Sequence, residues 1–221
     1  MADTIEATGE AAGDEKSERR ARILAEAERV FFEEGYEGAC IDDIIKRVGG
    51  SKRTIYNEFG SKEGLFAAMI AESVTKTSEE VILQLDLDKE KGVGVRQALV
   101  DYAVKVMTIV NAPRVVALYR TVIGEANRFP KLASAFYESG PGRTIVRFAA
   151  LLQYYRDRSE IDVENCALAA EQFGGLIRDS VFFAVLLGLR PPMTSAEIAV
   201  RAKAAVDLFL SGVGGGPASE N

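Results

Sequence analysis

The chain has 221 residues, 48% of them apolar, enough to build a sizeable core in one or two domains. A formal net charge of −6 excludes a protein that is basic all over, although a local basic patch is sufficient for a nucleic-acid partner. Histidine is absent and there are only two cysteines, which together remove Ser-His-Asp chemistry, Cys-His nucleophiles and most zinc sites.

Cys40 and Cys166 stand far apart, without metal spacing, and read as reduced, buried, small apolar residues. No metal and no cofactor is expected. The N-terminus is polar and acidic, unlike a signal peptide, and the longest apolar run, Val181 to Leu189, is far too short to span a bilayer. A soluble, cytoplasmic protein is the expectation.

Residues 1–16 are rich in Ala, Glu, Gly, Thr and Asp without periodicity and read as a disordered tail. A first helix is predicted from about Ser17 to Glu34, with Ile23, Ala27, Val30 and Phe31 on its inner edge and Gly35 ending it. Ile41, Ile44, Ile45 and Val48 recur at i, i+3, i+4 and i+7, a second helix. Gly49-Gly50 breaks it. Ser51 then caps a third helix in which Ile55 and Phe59 form an apolar edge, while Arg53 and Asn57 fall opposite and Thr54 and Tyr56 lie beside them. Two short helices around a glycine turn make a helix-turn-helix pattern. Its outer face carries the residue types that read duplex DNA: Arg and Lys for guanine edges and phosphates, Asn for adenine, Tyr and Thr for phosphates or thymine methyls.

Ser61 caps a fourth helix expected to reach about Leu85. Lys62 sits in its first turn, where the helix N-terminus and the ammonium together favour a phosphate. Leu65, Phe66, Met69 and Ile70 are placed to pack on helix one, so this helix becomes the lever between the two halves of the chain.

The segments Phe31-Phe32-Glu33-Glu34-Gly35-Tyr36, Ile41-Asp42-Asp43-Ile44, Ser51-Lys52-Arg53-Thr54-Ile55-Tyr56-Asn57-Glu58-Phe59 and Ser61-Lys62-Glu63-Gly64-Leu65-Phe66 occur in order and nearly without gaps from about Ala21. They resemble the N-terminal domain of TetR/AcrR-family transcriptional regulators. The resemblance implies a dimeric, ligand-responsive and usually repressing DNA-binding protein, with Cys40, Ser51, Lys52, Arg53, Thr54, Tyr56, Asn57 and Lys62 as the DNA-binding set. Two departures stand out. Family members commonly place Thr and Ser where this chain has Ala39 and Cys40, and those hydroxyls cap the second helix and touch a phosphate. Gly50 replaces a small apolar residue of the turn.

After a charged connection from Asp86 to Gly94, helices are predicted over about Val95–Val110, Pro113–Asn127, Pro130–Tyr137 and Arg143–Arg156. Gly140-Pro141-Gly142 marks the break between the third and fourth. The segment Tyr119 to Arg143 also looks like one sub-type of TetR-family C-terminal domain. A helix capped by Asp162 is expected to run to about Leu187, apolar almost all round. Thr194 and Glu197 form a capping box, with Met193 and Ile198 as a hydrophobic staple, opening a final helix. The expected fold is therefore all-α, with about nine helices and no sheet. It divides into a helix-turn-helix domain over 17–61, a ligand-binding and dimerisation domain over 62–211, and a disordered tail over 212–221.

A single short helix in a major groove makes few base contacts. Two of them about 34–36 Å apart read a palindrome, and the last two helices are suited to the homodimer this needs. Tyr102, Tyr119, Phe136, Phe148, Tyr155, Phe173 and Phe182 are candidates to line an apolar effector cavity, with Arg120 and Arg178 (and Asn127, Gln172 and Asp179) to fix a polar group of the ligand. The reading is a sequence-specific transcriptional regulator, a repressor released from its operator by a small, mostly apolar ligand. The alternative is a helical ligand-binding protein with weakened or lost DNA recognition. An enzyme is not expected, because there are no paired carboxylates on one face, no Glu-x-x-His and no phosphate-cradling glycine loop.

Overall fold

The computed structural model describes the backbone of residues 3–84 and 92–213 and the side chains of 15–77 and 92–212. All regular structure among them is helical: α1 (Asp3–Gly38), α2 (Ile41–Val48), α3 (Lys52–Phe59), α4 (Lys62–Gln84), α5 (Val95–Val110), α6 (Pro113–Glu125), α7 (Pro130–Ser139), α8 (Pro141–Asp157), α9 (Cys166–Ile177), α10 (Ser180–Leu186) and α11 (Ser195–Val213). No single described helix is long and apolar enough to cross a membrane.

Most boundaries fall where the punctuation put them. Gly35 leaves the helical region with φ 71°, so the chain turns between the body of α1 and its last residues. Proline stands in the first turn of α6, α7 and α8, where its missing N–H removes no helical bond. The box that starts α11 is made in both directions: Glu197 N–H donates to Thr194 Oγ1 at 3.2 Å, and Thr194 N–H donates to Glu197 Oε2 at 2.8 Å.

Three expectations change. The backbone of α1 is already helical from Asp3, upstream of Ser17, where Ala and Glu, both strong helix formers, are the commonest residues. The helix expected to follow Asp162 starts instead at Cys166, where Asn165 Oδ1 accepts from Leu168 N–H at 3.0 Å. That same helix does not reach Leu187. Arg178 leaves the helical region, and Asp179 Oδ1 accepts from Val181 and Phe182 N–H groups, so α10 begins anew. An Asp inside an apolar run can end one helix by capping the next. The expected connection up to residue 91 and the expected tail from residue 214 lie outside the described residues, and Gly212 and Val213 extend α11.

Two hydrophobic cores result. The first joins α1, α2, α3 and α4 through Ile23, Leu24, Phe31, Ile44, Ile55, Leu65, Phe66 and Met69. The second joins α5, α8, α9 and α11 through Leu99, Tyr102, Phe148, Leu152, Phe173, Ile198, Val206 and Phe209. Helix α6 belongs to both. Leu118 and Val122 enter the first core, while Tyr119 packs against the second. Polar contacts reinforce that junction: Glu28 of α1 accepts from Ser73 of α4 at 2.8 Å and from Arg114 of α6 at 2.9 Å.

Candidate functional site

Helix α3 has eight residues, too few to persist alone in water. It is held by Ile55, 2% exposed, and by Phe59, which packs partly against the same core. Ser51 Oγ accepts from Thr54 N–H at 3.3 Å and fixes the first turn. With that edge buried, the helical period turns Arg53, Tyr56 and Asn57 to solvent, and Tyr56 is 43% exposed. Arg53 and Asn57 have no hydrogen-bond or ionic partner among the described residues. Other cations nearby are already engaged. Lys46 pairs with Asp43 at 2.7 Å, Arg47 with Glu33 at 3.3 Å, and Lys52 with Asp42 at 2.9 Å. The hydrogen bond from Lys52 holds the Asp42 carboxyl below its ordinary value and raises the Lys52 ammonium in return.

The second turn differs from a hydroxyl-capped one. Cys40 occupies the N-cap of α2 but makes no side-chain cap; its thiol donates instead toward Asp42 Oδ2 at 3.8 Å. It is exposed, contrary to the expectation of two buried cysteines, because the N-cap faces out of the core; Cys166 is buried as expected. Gly50 has φ 101°, a conformation that L side chains rarely adopt, and a Cβ there would approach Arg19 Nη2 at 3.0 Å. The upstream arginines lie against this turn: Arg20 stacks over Phe59, its guanidinium 5.6 Å from the ring centre, and Arg22 donates to the Val48 carbonyl at 3.5 Å.

Lys62 opens α4, and Ser61 Oγ accepts from Gly64 N–H at 3.0 Å. The Lys62 ammonium donates to the Glu37 carbonyl at 3.2 Å and lies 4.8 Å from the Tyr36 ring centre. Arg128 covers the same ring at 4.3 Å, so one aromatic ring carries a cation from each half of the chain.

In the C-terminal half, a cavity of about 50 Å³ lies between α4, α5, α6, α7 and α8. Val106, Ile109, Val110, Val115 and Phe136 form its apolar wall, and Tyr119, Thr144 and Arg178 its polar corner. Two roomier hollows, of about 610 Å³ beside Val95 and Leu210 and about 830 Å³ beside Gln153 and Leu168, are shallow surface grooves with polar rims. Of the residues proposed from sequence, Tyr119, Phe136 and Arg178 meet at the cavity. Tyr102 sits just behind it, donating to the Thr144 carbonyl at 2.8 Å. Phe182 backs Tyr119 edge-on, with ring centres 5.7 Å apart.

The others do not line it. Phe148 and Phe173 stack on each other at 4.5 Å and are 1% exposed, which makes them core. Tyr155 is buried on the far side and donates to the Val93 carbonyl at 2.8 Å. Arg120 closes the end of α10, donating to the carbonyls of Leu186 and Val185 at 2.9 and 2.6 Å. Asn127 and Gln172 are exposed, and Asp179 pairs with Arg201. Sequence reasoning missed Ile109, Val115, Gly140, Pro141 and Thr144 as lining. The break at Gly140–Pro141 was the available signal, since it lets α7 and α8 diverge over the hollow.

Arg178 had two acids beside it in sequence, Glu171 and Asp179, yet it pairs with neither. Its Nε donates to the Gly174 carbonyl at 3.1 Å, and the guanidinium lies over Gly174, where a Cβ would come within 2.8 Å of Nη2. Burial pushes the hydroxyls of Tyr102 and Tyr119 up from their ordinary values, with Arg178 pulling both the other way. Both phenols therefore stay protonated at neutral pH.

Residues 23–69 match the family model of the bacterial regulatory proteins, tetR family. Residues 97–212 match that of the AefR-like transcriptional repressor C-terminal domain. The HTH-type transcriptional repressor AcnR of Corynebacterium glutamicum is 41% identical over 71 residues, 32% of this chain and 38% of that protein, so this likeness covers only part of either chain. The flavonoid-responsive regulator FrrA is 32% identical with a TM-score of 0.68, over 89% of this chain and 97% of that one. A TetR-family regulator from Mesorhizobium loti MAFF303099 superposes with a TM-score of 0.78 at 23% identity, over 88% and 96% of the two chains, a likeness of fold. With both halves matched in their own order and the helix-turn-helix at the expected place, the chain belongs to the TetR family of transcriptional regulators.

Proposed function

We propose that this chain is a homodimeric, cytoplasmic repressor that binds a palindromic operator and releases it when a small, mostly apolar effector enters the α5–α8 cavity. The observation that carries the first part is the outward, unpartnered pair Arg53 and Asn57 on a helix whose other edge is anchored by Ile55. In this reading Arg53 reads a guanine edge and Asn57 an adenine. Ser51, Thr54, Tyr56 and Lys62 hold phosphates. Lys52 must let go of Asp42 to join them, and Cys40 offers only a thiol where a hydroxyl would serve better. Loss of DNA recognition is not favoured, since the reading face is intact.

Dimerisation is supported by apolar side chains that the single chain leaves in water. Leu168 on α9 and Val200 and Leu208 on α11 are 50%, 69% and 62% exposed, beside the small Gly175. Sedimentation giving a monomer at micromolar concentration would remove the palindrome from the proposal. Release is supported by α6, which presents Val115 and Tyr119 to the cavity and Leu118 and Val122 to the core beneath the reading helix. An occupant that prefers one position of α6 thereby biases the spacing of the two reading helices. The likeness to a flavonoid-responsive regulator supports an effector of small-molecule size.

The test is DNA binding by the purified chain to its own upstream region at two salt concentrations. A specific complex that outlasts competitor DNA at the higher salt is expected. Equal affinity for unrelated duplexes at both salts would contradict operator reading.

A further inference from the structure

We propose that the effector is an apolar molecule with a single acidic group, a carboxylate or an acidic phenol, and that the Arg178 guanidinium is the group that selects it. The inference rests on the sensor reading above and adds the charge of the ligand.

Four observations lead to it. First, Arg178 faces a cavity with an apolar wall of Val106, Ile109, Val110, Val115 and Phe136, and shares its polar corner with Tyr119 and Thr144. Second, no described carboxylate pairs with it: Asp179, its neighbour in the chain, is taken by Arg201 and by two amides of α10. Third, the side chain is fixed in this place. Its Nε is bound to the Gly174 carbonyl and its guanidinium also hydrogen-bonds the Tyr119 hydroxyl, and Gly174 has no side chain to displace it. Fourth, the nearby hydroxyls are protonated phenols, so they can solvate a guest but cannot neutralise the cation.

A cation at the edge of an apolar hollow is under-solvated, and an anion that brings hydrogen-bond acceptors to it gains more than it would in water. An uncharged guest leaves the guanidinium desolvated without compensation, and a cationic guest adds repulsion. The room now present, about 50 Å³, is little more than a water or two, so the apolar part of the guest must part α7 and α8 from α5 as it enters. Head and body are thus recognised by different means: the head by charge, the body by prying the helices apart.

The experiment uses the full chain with decanoate and decanol as matched probes, and with Arg178→Gln and Arg178→Lys variants. Binding is read as the ligand-dependent rise in Tm and, in parallel, as loss of operator complex. Decanoate should bind the unaltered protein at least about tenfold more tightly than decanol, the gain of one charged hydrogen-bonded contact. Arg178→Gln should abolish that preference while decanol still binds, which shows that fold and cavity survive. Arg178→Lys should keep part of the preference. Equal binding of the two probes, or a preference unchanged in Arg178→Gln, overturns the charge proposal and leaves the sensor reading in place. Binding of neither probe, with no further rise in Tm when Ile109→Ala enlarges the cavity, removes the sensor reading and this proposal with it.

Discussion

Arg53 and Arg178 both lack an acidic partner among the described residues, and they lack it in opposite settings. Arg53 projects into water from a helix whose underside is densely packed. Its open hydrogen-bonding groups cost nothing there, because water satisfies them until a nucleic acid replaces it. Arg178 stands at the rim of an apolar hollow, where an unmatched charge is disfavoured. The first is a surface waiting for a partner, and the second is a deficit that a partner would relieve. The same side chain thus marks two kinds of site, and what distinguishes them is the packing beneath it.

That packing difference can be tested directly, and it gives the largest expected effect. Under the reading helix, Phe66 meets Phe31, Tyr36 and Phe129 with ring centres 5.0, 5.0 and 5.1 Å apart, and it is 1% exposed. Phe66→Ala should cost about 3–5 kcal/mol of stability, since the ring fills a space nothing else can close. Ile109→Ala, at the cavity wall, should cost only about 2 kcal/mol, the low end for its type, because part of that side chain already lacks neighbours. Chemical denaturation of both variants settles the order. Equal losses would mean that the hollow is no softer than the core.

The reading unit was largely legible in sequence because its logic is local. A helical period over eight residues sets Ile55 and Phe59 against Arg53 and Asn57, and the glycines that bracket it are needed for their positive φ. The sensing unit was less so. Arg178 looks like a partner for Asp179, and nothing local says that Asp179 will cap α10 and pair with Arg201 across the chain. Arg120 likewise reads as a ligand contact until α10 ends beside it and offers the carbonyls of Leu186 and Val185. Phe148 and Phe173 have the spacing of lining residues and are core instead, because which aromatic meets a void depends on how five helices converge.

Next in size is the effect on DNA. Arg53→Ala should weaken operator binding by about 1–3 kcal/mol and relax sequence preference at one base pair, with stability unchanged. An equal loss on all duplexes would make Arg53 a phosphate contact. Lys62→Ala should act differently. Its ammonium now rests on the Glu37 carbonyl and the Tyr36 ring, so binding should fall evenly across sequences and the salt slope by about one. Fluorescence anisotropy over a salt series separates the two patterns.

The smallest effect concerns a charge that is exposed yet paired, the case between the two arginines. Glu197 accepts from Arg190 at 2.7 Å and from the amide and hydroxyl of Thr194. Led by the Arg190 contact, these bonds hold its carboxyl at about 2, below the ordinary 4.5. A depressed folded-state value means that the carboxylate form is the one that stabilises. Its contribution is therefore complete above about pH 4.5 and is lost as the pH falls from there toward 2. Protonation takes the charge from the reciprocal half of the capping box and weakens it, so the first turn of α11 should fray over that window, seen as faster amide exchange at Thr194. In Glu197→Gln the amide keeps an acceptor for Thr194 but loses the charge, so the same amide should show no such acid transition. Because the pair is open to solvent, added salt should shrink the transition in the parent chain. A transition unmoved by both the substitution and salt would assign the effect to another group, and would leave only buried or nucleic-acid-bound charges as consequential in this protein.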